Sequence, residues 1–146
     1  MLTETYEIKN AGVLYACLDE PKPLYTQISK PEYFIEVQLT DIEVDQISKL
    51  MKELAVKRFG HVKGVKGADT DMRFGGHVRP CKTGGSKILA RSEERPVIHG
   101  ASNSKGEKLD LIRKADVVVT LWAYDNTFGK GVNVQLKEVT VKLNDF

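Results

Sequence analysis

Little in this sequence suits a secreted, membrane-spanning or disulfide-stapled protein. Only two cysteines occur in 146 residues, Cys17 and Cys81, far apart and in no CxxC pair, so no disulfide framework can be read and two reduced thiols in a cytoplasm are expected. No run of 18 apolar residues is present, and the opening MLTETYEIKN has no basic segment leading into an apolar one. Neither membrane insertion nor secretion is therefore expected. Internal repeats and low-complexity tracts are absent too. What is there is ordinary globular composition, 41% hydrophobic and 29% charged, which is too apolar for a disordered chain and fits one domain over residues 1–146.

The net charge of only +2 hides an uneven distribution. Residues 1–56 carry 5 basic and 10 acidic side chains, residues 57–95 carry 10 and 4, and residues 96–146 carry 7 and 6. A basic middle segment in a nearly neutral protein suits a groove that tracks a phosphate backbone, because Lys and Arg release condensed counterions when they neutralise phosphates. A solvated basic loop is the plainer alternative.

Periodicity divides the chain into one helix and several strands. GVLYACL (12–18) and YFIEVQL (33–39) are rich in β-branched and aromatic residues and predict two strands. From Thr40 the period changes. Ile47, Leu50, Met51, Leu54 and Ala55 fall on one face of a helix, with Thr40 and Glu43 spaced as a capping box and Gly60 as the stop. Residues 60–85 then hold 7 of the 12 glycines, interleaved with Lys63, Lys66, Arg73, Arg79 and Lys82, and predict a flexible loop or extended hairpin over about 60–86. Strand patterns resume at Lys87–Arg91, Val97–Gly100, Asp116–Tyr124 and Val132–Leu143, read as antiparallel. About six strands and one helix fit a partly open Greek-key β-barrel better than βαβ units.

Several of the few aromatics stand beside positive charge: Arg58-Phe59, Arg73-Phe74, and Trp122, Tyr124 and Phe128 near Lys130. Bases stack on aromatic faces whatever their identity while cations hold the phosphates, so this adjacency suits nucleic acid. Alternation along 116–124 puts Val118, Thr120, Trp122 and Tyr124 on one face. That spacing serves a stacking platform or closure of the core equally well, whereas Tyr15, Tyr33 and Phe34 are expected in the core. Enzymatic readings have less support. Asp69, Asp71, Glu93 and Glu94 suggest a metal-dependent nuclease only weakly, and His61, His77 and Cys81 lack a fourth zinc ligand at a convincing spacing. KTGGSK (82–87) lacks the order of a phosphate loop.

Three segments, KILARSEERPVIHGASNSKGE (87–107), DVVVTLWAYDN (116–126) and GKGVNVQLKEVTV (129–141), together with the YFIEV strand and the helix after it, resemble the single-stranded DNA-binding proteins of tailed bacteriophages, the podophage helix-destabilising and Enc-type group. The resemblance implies an oligonucleotide-binding barrel with its helix after the second strand. It also implies sequence-tolerant binding of single-stranded DNA in replication or recombination, replication or recombination proteins as partners, and self-association, with a homodimer the form to look for. No enzyme activity, cofactor or membrane partner is expected. The expected DNA contacts are Arg58, Lys63, Lys66, Arg73, Arg79, Lys82, Lys87, Arg91 and Lys130 on phosphates, with Phe74, Trp122, Tyr124 and Phe128 as stacking surfaces. The rival readings are a metal-dependent nuclease or resolvase, and a protein-interaction module with incidental affinity for nucleic acid.

Overall fold

The computed structural model describes residues 3–23, 30–69, 77–82, 84–100, 112–127 and 129–141. They form β1 (Thr3–Pro23), β2 (Pro31–Leu39), α1 (Asp41–Phe59), β3 (Val78–Pro80), β4 (Ser86–Ser92), β5 (Val97–His99), β6 (Lys114–Asn126) and β7 (Gly129–Val141). Five of the strands, in the spatial order β4-β2-β1-β6-β7, close into a barrel through a parallel β4–β7 contact at Arg91↔Gln135. Five strands closed in this way, with β4 and β7 parallel and the other barrel neighbours antiparallel, make an oligonucleotide-binding barrel whose helix follows its second strand.

The first strand serves two neighbours. Its N-terminal half pairs with β6 from Thr3↔Trp122 to Gly12↔Lys114, and its C-terminal half pairs with β2 from Val13↔Val37. The register slips between Ile8 and Ala11, where Asn10 takes a positive φ of 51° and its N–H donates to Asp116 Oδ1 at 2.7 Å. Such a bulge adds local twist and lets one strand bend from one neighbour to the next. This first half, Thr3 to Asn10, lies beyond the strand expected at 12–18.

Inward positions fill the barrel with Ile8, Leu18, Ile35, Val37, Ile88, Val117, Val119, Leu121, Val132, Val134 and Leu136, all at most 1% exposed. The helix adds Ile47, Met51, Leu54 and Ala55 to the same core, the stripe expected from its period. Both caps are as expected. Thr40 Oγ1 accepts from Glu43 N, Glu43 Oε1 accepts from Thr40 N at 2.9 Å, and Gly60 ends the helix at φ 80°, donating to Val56 O. Among the described residues, no helix is long and apolar enough to cross a membrane.

One expectation needs correction: the C-terminal half is not purely antiparallel, since β4 and β5 both run parallel to β7. Within the 60–86 segment, the described residues 60–69 are anchored to the barrel. Val65 and Ala68 are 0% and 1% exposed, Lys66 N–H donates to Lys130 O, and Val132 N–H donates to Lys66 O. The His77 ring nitrogen Nε2 lies 3.1 Å from Val132 O, and between the paired β3 and β4 the Cys81 N–H donates to Gly85 O and the Gly84 N–H to Cys81 O. The reason is an open edge. The far side of β7 meets β4 at Gln135 only and β5 at residues 138–140, so Lys66 of the Val65–Ala68 stretch satisfies the Lys130 carbonyl and the Val132 N–H of β7.

Candidate nucleic-acid interface

Strand pleat decides which side chains face outward. On β2 and β4 the interior takes Ile35, Val37, Ile88 and Ala90, so Phe34 and Glu36 face out beside Arg91 and Leu89, their register partners. Two neighbours extend this outer face. On one side Tyr15 and Cys17 pair with Glu36 and Phe34; on the other, Gln135 meets Arg91 and Thr120 meets Gln135. Trp122 with Asn133, and Tyr124 with Gly131, continue the face along the β6–β7 pair.

Two aromatic pairs result, one on each flank of Arg91. Tyr15 stacks on Phe34 with ring centroids 5.5 Å apart and planes 16° from parallel. Phe34 is 6% exposed beneath it and Tyr15 is 58% exposed above. Tyr15 therefore does not lie in the core as expected, and Phe34 is buried outside the barrel by the tyrosine. Tyr33, half-buried, shares the face of Ile35. On the other flank Trp122 and Tyr124 lie 5.7 Å apart at 59°, both half-buried on the outer face, so neither closes the barrel core. The Tyr124 ring lies over Gly131, where a side chain would collide with it. Burial raises the Tyr124 hydroxyl pKa, an effect that nearby Arg91 opposes.

Polar groups complete two shallow clefts on this face. One, of about 280 Å³, is lined by Glu32, Arg91, Trp122, Asn133 and Gln135 among others. Its neighbour, of about 310 Å³, is lined by Tyr15, Lys22, Pro23, Phe34, Glu36 and Leu89. Both central cations have a carboxylate partner from β2: Lys87 Nζ lies 3.2 Å from Glu36 and Arg91 Nε 3.9 Å from Glu32. Under this layer His77 is pushed down to about 4, first by burial and then by the charge of Arg91, so it is neutral at pH 7 and donates Nε2–H to Val132 O.

The expected contact residues separate into groups. Arg79, Lys87, Arg91, Trp122 and Tyr124 belong to the outer face and the β3 edge, with Arg79 directly across from Lys87. Arg58 and Lys130 gather instead at the helix C-terminus, where the guanidinium carbon and the ammonium lie 5.5 and 5.3 Å from the centre of the Phe59 ring. Lys66 joins them through its backbone bond to Lys130, and Lys63 is exposed three residues earlier. Lys82 is exposed on the β3–β4 turn. Arg73, Phe74 and Phe128 lie outside the described residues. Tyr15, Phe34, Glu32, Glu36, Asn133 and Gln135 were missed from sequence; the inward parity of Ala16 and Leu18 would have pointed Tyr15 outward.

The residues weighed for metal chemistry have other roles. Asp69 Oδ2 accepts from Gly64 N–H at 2.8 Å, Glu93 lies 3.8 Å from Lys30, and His61 Nδ1 is 3.0 Å from Lys63 O. Asp71 is outside the described residues. Among those described, no three His, Cys, Asp or Glu side chains are grouped to hold a metal ion. Cys17, buried, and Cys81 form no disulfide, and the Cys17 thiol donates to Glu20 O at 3.0 Å.

No protein-family model and no curated protein matches the chain. Solved structures do. The single-stranded DNA-binding protein from bacteriophage Enc34, in complex with single-stranded DNA, superposes with a TM-score of 0.65 at 18% identity, over 97% of this chain and 88% of that one. Its C-terminal truncation gives 0.62 at 17%, over 97% and 87%. The same protein in a further structure gives 0.60 at 18%, over 97% and 82%. The chain thus shares the oligonucleotide-binding fold of a phage single-stranded DNA-binding protein.

Proposed function

We propose that this protein binds single-stranded DNA without strong sequence preference and shields it during phage DNA replication or recombination, in the cytoplasm of the host bacterium. The observation that carries the reading is the outer face itself: two aromatic pairs, Tyr15/Phe34 and Trp122/Tyr124, flank Arg91 on the side of the barrel where this fold takes oligonucleotides. Exposed π-faces accept any base, at about 1–3 kcal/mol per stacked base. Support also comes from the fold shared with a phage protein whose structure holds single-stranded DNA.

In this reading bases lie against the aromatic pairs while the phosphates run past Arg79, Lys87 and Arg91 on the face and past Arg58, Lys63, Lys66 and Lys130 at the rim. Lys82, Arg73, Phe74 and Phe128 extend the contact from the adjoining segments. A single binding domain spans the chain, its Gly/Lys/Arg-rich segment adapts to the strand, and no cofactor or catalytic group takes part. Replication or recombination proteins and a second copy of the chain are the protein partners to seek.

The test is binding to labelled oligo-dT, equal-length duplex and matched RNA at two salt concentrations, with and without magnesium. Tight, salt-sensitive preference for the DNA single strand without cleavage supports the reading. Equal binding to duplex overturns it in favour of incidental affinity, and magnesium-dependent cutting overturns it in favour of a nuclease.

A further inference from the structure

The cleft at Tyr15 differs from a plain stacking shelf because it contains a carboxylate. Tyr15 and Glu36 are directly paired across β1 and β2, Leu89 is the partner of Glu36 on β4, and all three line the same cleft with Phe34 and Lys22. At about 310 Å³ the cleft stands at the low end of the range for small-ligand sites, roughly 300–1,000 Å³, and is of a size for one base. Glu36 is only partly exposed and its Oε1 faces Lys87 at 3.2 Å. That contact fixes the carboxylate on the sheet surface and leaves its other oxygen for a ligand. An ionised carboxylate only accepts hydrogen bonds. A base stacked on Tyr15 is therefore met at its edge by an acceptor.

We propose that Tyr15, Phe34, Leu89 and Glu36 form a base subsite selective for nucleobases with an exocyclic amino group, cytosine above all, over thymine. This inference rests on the single-stranded DNA reading and adds a base preference at one position of an otherwise tolerant face. Cytosine offers its N4 amino donor to Glu36, whereas thymine offers the O4 acceptor at the same place, which a carboxylate repels.

The experiment compares 12-mers of oligo-dC and oligo-dT, by competition at pH 7.5 and fixed salt, against the wild-type chain, Glu36→Gln and Tyr15→Ala. Wild type is expected to bind oligo-dC about fivefold more tightly than oligo-dT, the low end of what one good base-edge contact discriminates. Glu36→Gln, whose amide both donates and accepts, is expected to bring the two within about twofold by raising oligo-dT relative to oligo-dC. Tyr15→Ala should weaken both and erase the difference. Equal wild-type affinity for the two oligomers, or a preference that survives Glu36→Gln, overturns the subsite while single-strand binding stands. A uniform shift of both affinities in Glu36→Gln also overturns it, because a purely electrostatic role moves every strand alike. Failure of the wild type to bind either oligomer overturns the underlying reading as well.

Discussion

The ring of Tyr124 occupies the space that a side chain at residue 131 would need, and Gly131 is its direct partner across the β6–β7 pair. A glycine in a strand is costly unless something covers it, and here an aromatic ring does so while it is held flat against the outer face. Gly131→Ala should displace Tyr124. The expected result is a loss of about 1–3 kcal/mol in chemical denaturation, the usual cost of overpacking, together with weaker oligo-dT binding.

The two aromatic pairs should weigh more on affinity than on stability. Tyr15 is largely exposed but covers Phe34, so Tyr15→Ala is expected to cost about 1–3 kcal/mol of oligo-dT affinity and about 0.5–1.5 kcal/mol of stability, the worth of a stacked aromatic pair. Trp122→Ala should cost a similar amount. Because Trp122 is the single tryptophan, quenching of its fluorescence on titration with oligo-dT reports occupancy directly. Unchanged emission at saturation would place the strand elsewhere.

Salt dependence distinguishes phosphate contacts from base contacts. Each phosphate neutralised contributes about −0.7 to the slope of log K against log salt for a single strand. Lys130→Ala removes one rim cation and should make the slope shallower by about that amount. Tyr15→Ala should lower affinity and leave the slope unchanged. Slopes measured between 50 and 300 mM salt, roughly, decide the matter.

His77 gives the fold a pH dependence of defined sign. Its folded pKa of about 4 lies below the ordinary 6.5, so the unfolded chain takes up a proton first as pH falls. The contribution of neutral His77 is thus complete above pH 6.5 and is lost progressively between about 6.5 and 4, up to about 3 kcal/mol. His77→Gln keeps a donor for Val132 O and cannot titrate. Its unfolding free energy should fall less steeply than the wild type's across that window.

At the helix start, Thr40→Ala removes the oxygen that Glu43 N–H reaches and should destabilise the chain by about 1 kcal/mol, read as a lower Tm without loss of DNA affinity.

The helix was fully legible in sequence, because its caps and its buried stripe are both local signals. That Trp122 and Tyr124 share one face was legible as well, since the alternation of β6 is unbroken from Val117 to Tyr124; which way that face points was not, because Val118, Trp122 and Tyr124 make it nearly as apolar as the inner one. Tyr15 and Phe34 were misjudged because an aromatic ring in an apolar strand reads as core on either face. Glu36 marks the outer face that Phe34 shares, and Ala16 and Leu18 do the same for Tyr15, but a register shift between Val13 and Tyr15 weakens that second signal. The first half of β1 was missed because TETYEIKN places few apolar residues on its inner side. Val65 and Ala68 were hidden among Gly and Lys, and the open β7 edge they fill depends on a barrel closure that no local pattern encodes.

One residue of β7 receives both ends of the chain that brackets residues 70–76. Val132 donates its N–H to Lys66 and accepts at its carbonyl from His77, so the path leaves and returns at a single point of the barrel wall. A disturbance of the β7 backbone at this one residue would therefore loosen two attachments at once, the stretch that fills the open barrel edge and the histidine whose neutrality the fold maintains.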